Sequence, residues 1–118
     1  MVEQVQGVVY MDKNTDLEKY RKIATDYIEK LIEIGIPVSE AYIFGSYVNG
    51  NKHRWSDLDT CIVSTAFGVD PIAERVVLMM IGRKINDLIE PHPFSPTDFN
   101  NKYNPLANEI RKHVSRIM

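Results

Sequence analysis

Cysteine is almost missing from this chain. Cys61 stands alone among 118 residues, so an intrachain disulfide is excluded, and no Cys/His cluster offers a structural zinc site. Long apolar runs are missing too. None approaches the ~20 residues that a membrane-spanning helix requires, and no basic-then-apolar leader opens the sequence. The expectation is a cytoplasmic protein with no membrane partner. Charge of either sign is not in excess. A formal net charge of −2 gives no general attraction to nucleic acid or anionic lipid. Direct nucleic-acid binding is therefore not expected, and any pull on a polyanion must be local. Internal repeats and low-complexity segments are absent. What remains is 44% apolar and 25% charged residues, the composition of a globular domain. The length suits one core and one domain spanning residues 1–118.

Taken in order, residues 1–13 are the least decisive. Val5, Gly7 and Val9 alternate with more polar neighbours, which permits a weak strand, a flexible terminus or an edge strand that pairs with another subunit. A helix is predicted from about residue 16 to 34. Thr15 and Glu18 have the capping-box spacing. Leu17, Tyr20, Ala24, Tyr27, Ile28, Leu31 and Ile32 recur at helical steps, and Gly35 and Pro37 stop the run. Tyr20 and Tyr27 have the spacing of a base-stacking pair, but within an aliphatic stripe they read as packing. Ala41 to Phe44 is a short strand. A polar, basic loop from Tyr47 to Trp55 follows, and Leu58 to Ser64 is a second strand.

Asp70-Pro71 marks a helix start, with aspartate as cap and proline at the first position. That helix runs to about Lys84 or Asp87. Ile72, Val76, Met79, Met80 and Ile85 are its expected inner face, which Val77, Leu78 and Ile81 widen. Leu88 to Phe94 is a third strand. Pro91 and Pro93 cannot donate to a ladder, so the segment beyond Glu90 is an edge or leaves the sheet. Ser95-Pro96 opens a short turn or helix through Phe99. Asn104-Pro105 opens a last helix covering residues 104–118, with Leu106, Ile110, Val114 and Ile117 at helical spacing. The pattern is an α/β domain with a sheet of three or more strands and helices packed on it.

The chemistry concentrates between Ile43 and Val63. Asp57 and Asp59 lie two residues apart at a strand mouth and project to one side. At about 5 Å and an effective dielectric near 20, two carboxylates repel by roughly 3 kcal/mol. A hard divalent cation relieves that repulsion, and Mg²⁺ typically takes one or two carboxylates and completes its shell with water and phosphate oxygens. Gly45-Ser46 ends the preceding strand. Glycine lets a phosphate approach the main chain, and amides after a strand form an anion-binding concavity. Each feature alone is weak: a solvated Asp-Leu-Asp and an ordinary Gly-Ser turn are common. Lys52, His53 and Arg54 read first as a solvated loop and second as charges for a triphosphate. Trp55 suits base stacking or packing equally. His92 reads as structural or exposed, and Cys61 as a buried, inert thiol.

The spacing joins these features. Gly45-Ser46, ten intervening residues from Tyr47 to Ser56, and Asp57-Leu58-Asp59 on the next strand resemble the signature of the DNA polymerase beta-like nucleotidyltransferase superfamily. The short chain, Gly50 and the Ser-Asp-Leu-Asp form look most like its minimal nucleotidyltransferases. The resemblance covers residues 40 to 64 and extends to about 94 through the helix-then-strand order. It implies the nucleotidyltransferase fold, with a small mixed sheet flanked by helices. It assigns Gly45 and Ser46 to the nucleotide triphosphate, and Asp57 and Asp59 to catalytic Mg²⁺, two ions in all. It puts a third carboxylate on the following strand. Glu90 is the candidate there, one methylene longer than the usual aspartate and followed directly by Pro91. Asp87 is the weaker alternative. The implied reaction moves NMP from an NTP, ATP first among them, to an acceptor. The implied partner is a HEPN-domain toxin, which this protein neutralises as an antitoxin. A binding module without turnover, and a transferase acting on a small molecule of the aminoglycoside kind, are the alternatives. The sequence leaves homo-oligomerisation open.

Overall fold

The computed structural model describes residues 2–45, 57–112 and 114–118, with side chains from Leu17 onward apart from that of Val114. The elements in order are α1 (Val2–Glu33), β1 (Val38–Phe44), β2 (Leu58–Ser64), α2 (Pro71–Ile85), β3 (Ile89–Phe94), α3 (Pro96–Phe99), α4 (Pro105–Lys112) and β4 (Val114–Arg116). The strands form one mixed sheet in the order β3-β2-β1-β4. β1 is antiparallel to both β2 and β4, whereas β2 and β3 run parallel. A parallel pair needs a crossover connection, and α2 supplies it.

Strand alternation sends side chains to two covered faces. Ala41, Ile62 and Ile89 meet Tyr27, Ile28 and Leu31 of α1 and Leu78 of α2 in one core. Ile43 and Leu58 extend that layer beneath Ala24. Tyr42, Phe44, Cys61, Val63 and Phe94 point to the other face, where Phe99, Ala107 and Ile110 close over them. Phe99 anchors this second layer. Its ring stacks on Tyr42 at 5.5 Å and meets Phe94 edge-on at 5.7 Å. The result is a helix–sheet–helix sandwich.

Three local expectations are corrected. Residues 2–13 are neither strand nor coil. From Val2 their backbone is part of α1, so Thr15 and Glu18 lie inside the helix rather than at its cap. Helix formers such as Glu3, Gln4, Gln6 and Met11 outweigh one glycine, which costs only about 1 kcal/mol. The last helix does not run through residues 104–118. It stops at Lys112, and the chain returns as β4 beside β1, pairing Tyr42 with Arg116 and Phe44 with Val114. Val114 and Ile117 are β-branched and suit a strand at least as well as a helix. The otherwise unpaired edge of β1 supplies the hydrogen bonds, and Ile117 N–H donates to Ala41 O at 2.7 Å. The inner face of α2 is also different. Ile72 and Met80 are 79% and 64% exposed, whereas Leu78 is 1% exposed and Gly82 is buried. A helix that is apolar nearly all round does not announce its buried side. Gly82 decides it, because a methyl group there would come within 3.0 Å of Ile89.

The start of α2 and the edge position of β3 agree with the sequence reading. The Asp70 carboxylate accepts from Ala73 N–H at 3.2 Å, ahead of Pro71. β3, which carries Pro91 and Pro93, lies at the sheet's edge.

Tyr27 is fully buried, and its hydroxyl donates to the Leu78 carbonyl at 2.8 Å, tying α1 to α2. Its phenol belongs to the core rather than to a stacking platform, and burial pushes its pKa up. Tyr27→Phe removes that tie and should cost about 1 kcal/mol of stability, measured by urea denaturation. An unchanged midpoint would show that the bond contributes nothing net.

Candidate active site

The site lies where β1 ends and β2 begins. Phe44 and Asp59 are register partners across the antiparallel pair, so the turn after Phe44 is brought beside the Asp59 carboxylate. Gly45 takes a φ of +81°, a region that costs other residues about 1–2 kcal/mol. A Cβ built on Gly45 would stand 2.6 Å from Asp59 Oδ2, inside any permitted contact. Two independent constraints therefore demand glycine here: the backbone conformation and the carboxylate. Ser46, together with Lys52, His53, Arg54 and Trp55, lies outside the described residues.

Leu58 anchors the acidic pair. It is fully buried, and its N–H donates to Leu88 O at 2.6 Å. Asp57, just before the strand, is exposed, and Asp59, just inside it, is partly covered. One oxygen of Asp59 is held from the side: His92 Nε2 is 3.0 Å from Oδ1. An ionised carboxylate only accepts, so the nitrogen that meets it carries the proton. The His92 ring in turn meets Phe44 edge-on at 5.0 Å.

Glu90 is the register partner of Asp59 on β3. Strand parity thus brings it beside the aspartates, yet its carboxylate is paired with the Arg75 guanidinium of α2. Among the described residues, no group of three His, Cys, Asp or Glu side chains is gathered around one metal-sized point. The structure places Gly45 and Asp59 together, Asp57 at the mouth and Glu90 one strand away in a different ion pair. Asp87 is exposed, and its main-chain carbonyl accepts from Arg83. Cys61 is buried on the Asp59 face of β2, and burial pushes its thiol far up, which fits an inert core residue.

Two partners were not foreseen. Arg75 sits fifteen residues from Glu90 on a helix, with no local signal linking them. His92 was detectable in principle: pairing β3 with β2 sets it opposite Cys61, two residues along from Asp59 on the same face. An apolar cleft lined by Ile36, Ala66, Phe67, Ala73, Val77 and Leu78 opens beyond the opposite end of β2. The one acid beside it, Glu74, is occupied with the main-chain amides of Gly68, Val69 and Asp70, which hold its carboxyl below the usual range. Among the described residues no cationic side chain lines that cleft.

A strand-end glycine facing a carboxylate, with a second carboxylate at the strand mouth, defines a site that can hold a phosphate chain through a cation. A family model described as nucleotidyltransferase domain matches residues 21–92, a span that contains Gly45, Ser46, Asp57, Asp59 and Glu90. The chain belongs to the nucleotidyltransferase domain family, and its class of activity is nucleotidyl transfer. Its sheet agrees with that assignment: four strands, mixed, with helices on both faces.

Solved structures of similar fold include a toxin-antitoxin crystallised with AMP-PNP (TM-score 0.58, 25% identity, covering 80% of this chain and 72% of that one). A putative nucleotidyltransferase from Sulfolobus solfataricus matches with TM-score 0.59 and 20% identity, over 73% of this chain and 76% of that one. A tri-AMPylated Shewanella oneidensis HEPN toxin in complex with MNT antitoxin matches with TM-score 0.54 and 20% identity, over 83% and 71%. No curated protein matches the chain.

Gly45→Ala should fold less stably by about 1–2 kcal/mol from its φ alone, with a further loss from the clash at Asp59. Thermal melts with and without ATP check this. A variant as stable as wild type would show that the turn relaxes and that glycine is not required.

Proposed function

We propose that this protein transfers AMP from ATP, with Mg²⁺, to a hydroxyl on a HEPN-type partner toxin, and acts as that toxin's antitoxin. The contact between Gly45 and Asp59 Oδ2 carries the reading. It sets bare main chain, suited to a phosphate, directly against a carboxylate suited to a cation. Two of the structurally similar proteins support the choice of nucleotide and partner. One was crystallised with AMP-PNP, and the other pairs an MNT antitoxin with an AMPylated HEPN toxin.

The donor set fits the metal. Asp57 and Asp59 offer hard oxygen ligands, one exposed and one partly covered, and two carboxylates are what Mg²⁺ usually takes from protein. When bound, Mg²⁺ would neutralise the triphosphate and favour departure of pyrophosphate. The chain's own residues do the positioning. Gly45 and Ser46 would hold the triphosphate, and Asp57 and Asp59 would hold the cation that neutralises it. The acceptor oxygen forms a bond to the α-phosphorus while the bond to the β-phosphate oxygen breaks, and pyrophosphate leaves with that electron pair. The hydroxyl proton goes to Glu90 once its carboxylate is released from Arg75, or to water.

The Glu90–Arg75 pair also favours a second reading, in which the domain neutralises its partner by binding alone. Incubation with labelled ATP, Mg²⁺ and the partner separates the two. Transfer that falls at least about 100-fold in Asp57→Ala and Asp59→Ala supports the enzyme. Equal neutralisation by wild type and both variants, without label on the partner, supports the binding module.

A further inference from the structure

We infer that His92 is a positioning residue for Asp59: it holds the carboxylate in the orientation that binds the cation. The inference rests on the proposed role of Asp59. Several features converge on the imidazole. Nε2 lies 3.0 Å from Asp59 Oδ1, with the two side chains only 17% and 29% exposed. The ring is braced against Phe44 at 5.0 Å, the residue that precedes Gly45 and pairs with Asp59 across the ladder. Asp59 is thus gripped on two sides, with Oδ1 fixed by His92 and Oδ2 against Gly45. The strand that carries the imidazole is itself stiff. His92 lies between Pro91 and Pro93, whose rings fix φ near −65°, and Pro91 is among the most fully buried side chains.

The chemistry matches the geometry. A carboxylate on a short side chain rotates about χ2 unless one oxygen is tied. A ring N–H aimed at one oxygen ties it and leaves the other free. Partners of this kind behind metal ligands are worth about 10–100-fold in metal affinity. A purely structural histidine, packed on Phe44, would leave that affinity alone.

Mn²⁺ binding, read from loss of the free-ion EPR signal, provides a test that needs no turnover. His92→Phe keeps a ring against Phe44 but removes the donor, and should weaken Mn²⁺ by about 10-fold or more without lowering the melting temperature. His92→Gln keeps an N–H donor and should recover most of the affinity. In wild type, long-range ¹H–¹⁵N spectra should show a protonated Nε2. Wild-type affinity in His92→Phe, or a bare Nε2 in the wild type, would overturn the inference. The spectrum decides it even if His92→Phe fails to fold. Asp59→Asn distinguishes the two levels. If it binds Mn²⁺ as tightly as wild type, the metal role of Asp59 fails and the inference falls with it. If Asp59→Asn loses the ion and His92→Phe does not, only the inference fails.

Discussion

Asp59 Oδ2 stands where a side chain on residue 45 would have to be, and much of the architecture serves to keep it there. Bare main chain beside a carboxylate suits a place where a phosphate chain and a cation share a small space, because no Cβ then keeps the phosphate off the amides. Gly45 at φ +81° and the Phe44–Asp59 register produce the arrangement together. Neither the turn nor the strand produces it by itself.

The sandwich explains why that arrangement holds. Leu58, buried between the two aspartates, fixes the height of the acidic pair in the sheet and links it to β3 through Leu88. α2 carries the chain across to make β3 parallel, and Gly82 lets it sit close enough to pack on Ile89. Helices on the other face cover Phe44 and Phe94, which keeps β1 and β3 from sliding relative to β2. His92 joins three neighbouring strands: it belongs to β3, bonds to Asp59 of β2 and rests on Phe44 of β1. Glu90, by contrast, is mostly covered and is held by Arg75 of α2 in a separate ion pair.

The legible part of this protein was the part written in local sequence. The approach of Gly45 to Asp59 and the place of Asp57 at the mouth of β2 followed from spacing and residue type, because glycine before a loop and alternating acids before an apolar strand have direct geometric consequences. The Asp70-Pro71 helix start and the edge position of a proline-bearing strand were legible for the same reason. What failed depends on partners distant in sequence. Val114 to Arg116 has helical spacing but is drawn into β4 by the open edge of β1. Residues 2 to 13 join α1, although their alternation also permits a strand. The inner face of α2 is set by Gly82 meeting Ile89, not by its own apolar pattern. Arg75 reaches Glu90 only through the packing of α2 on β3, and His92 reaches Asp59 only through the register of β2 with β3.

A crystal grown with Mn²⁺ and AMP-PNP would test the central claim most directly, through the anomalous signal of the metal. The account predicts a metal peak within coordinating distance of Asp57 and Asp59 and of a phosphate oxygen, with the phosphate chain lying against Gly45. Nucleotide bound elsewhere, or a metal peak that touches neither aspartate, would contradict it.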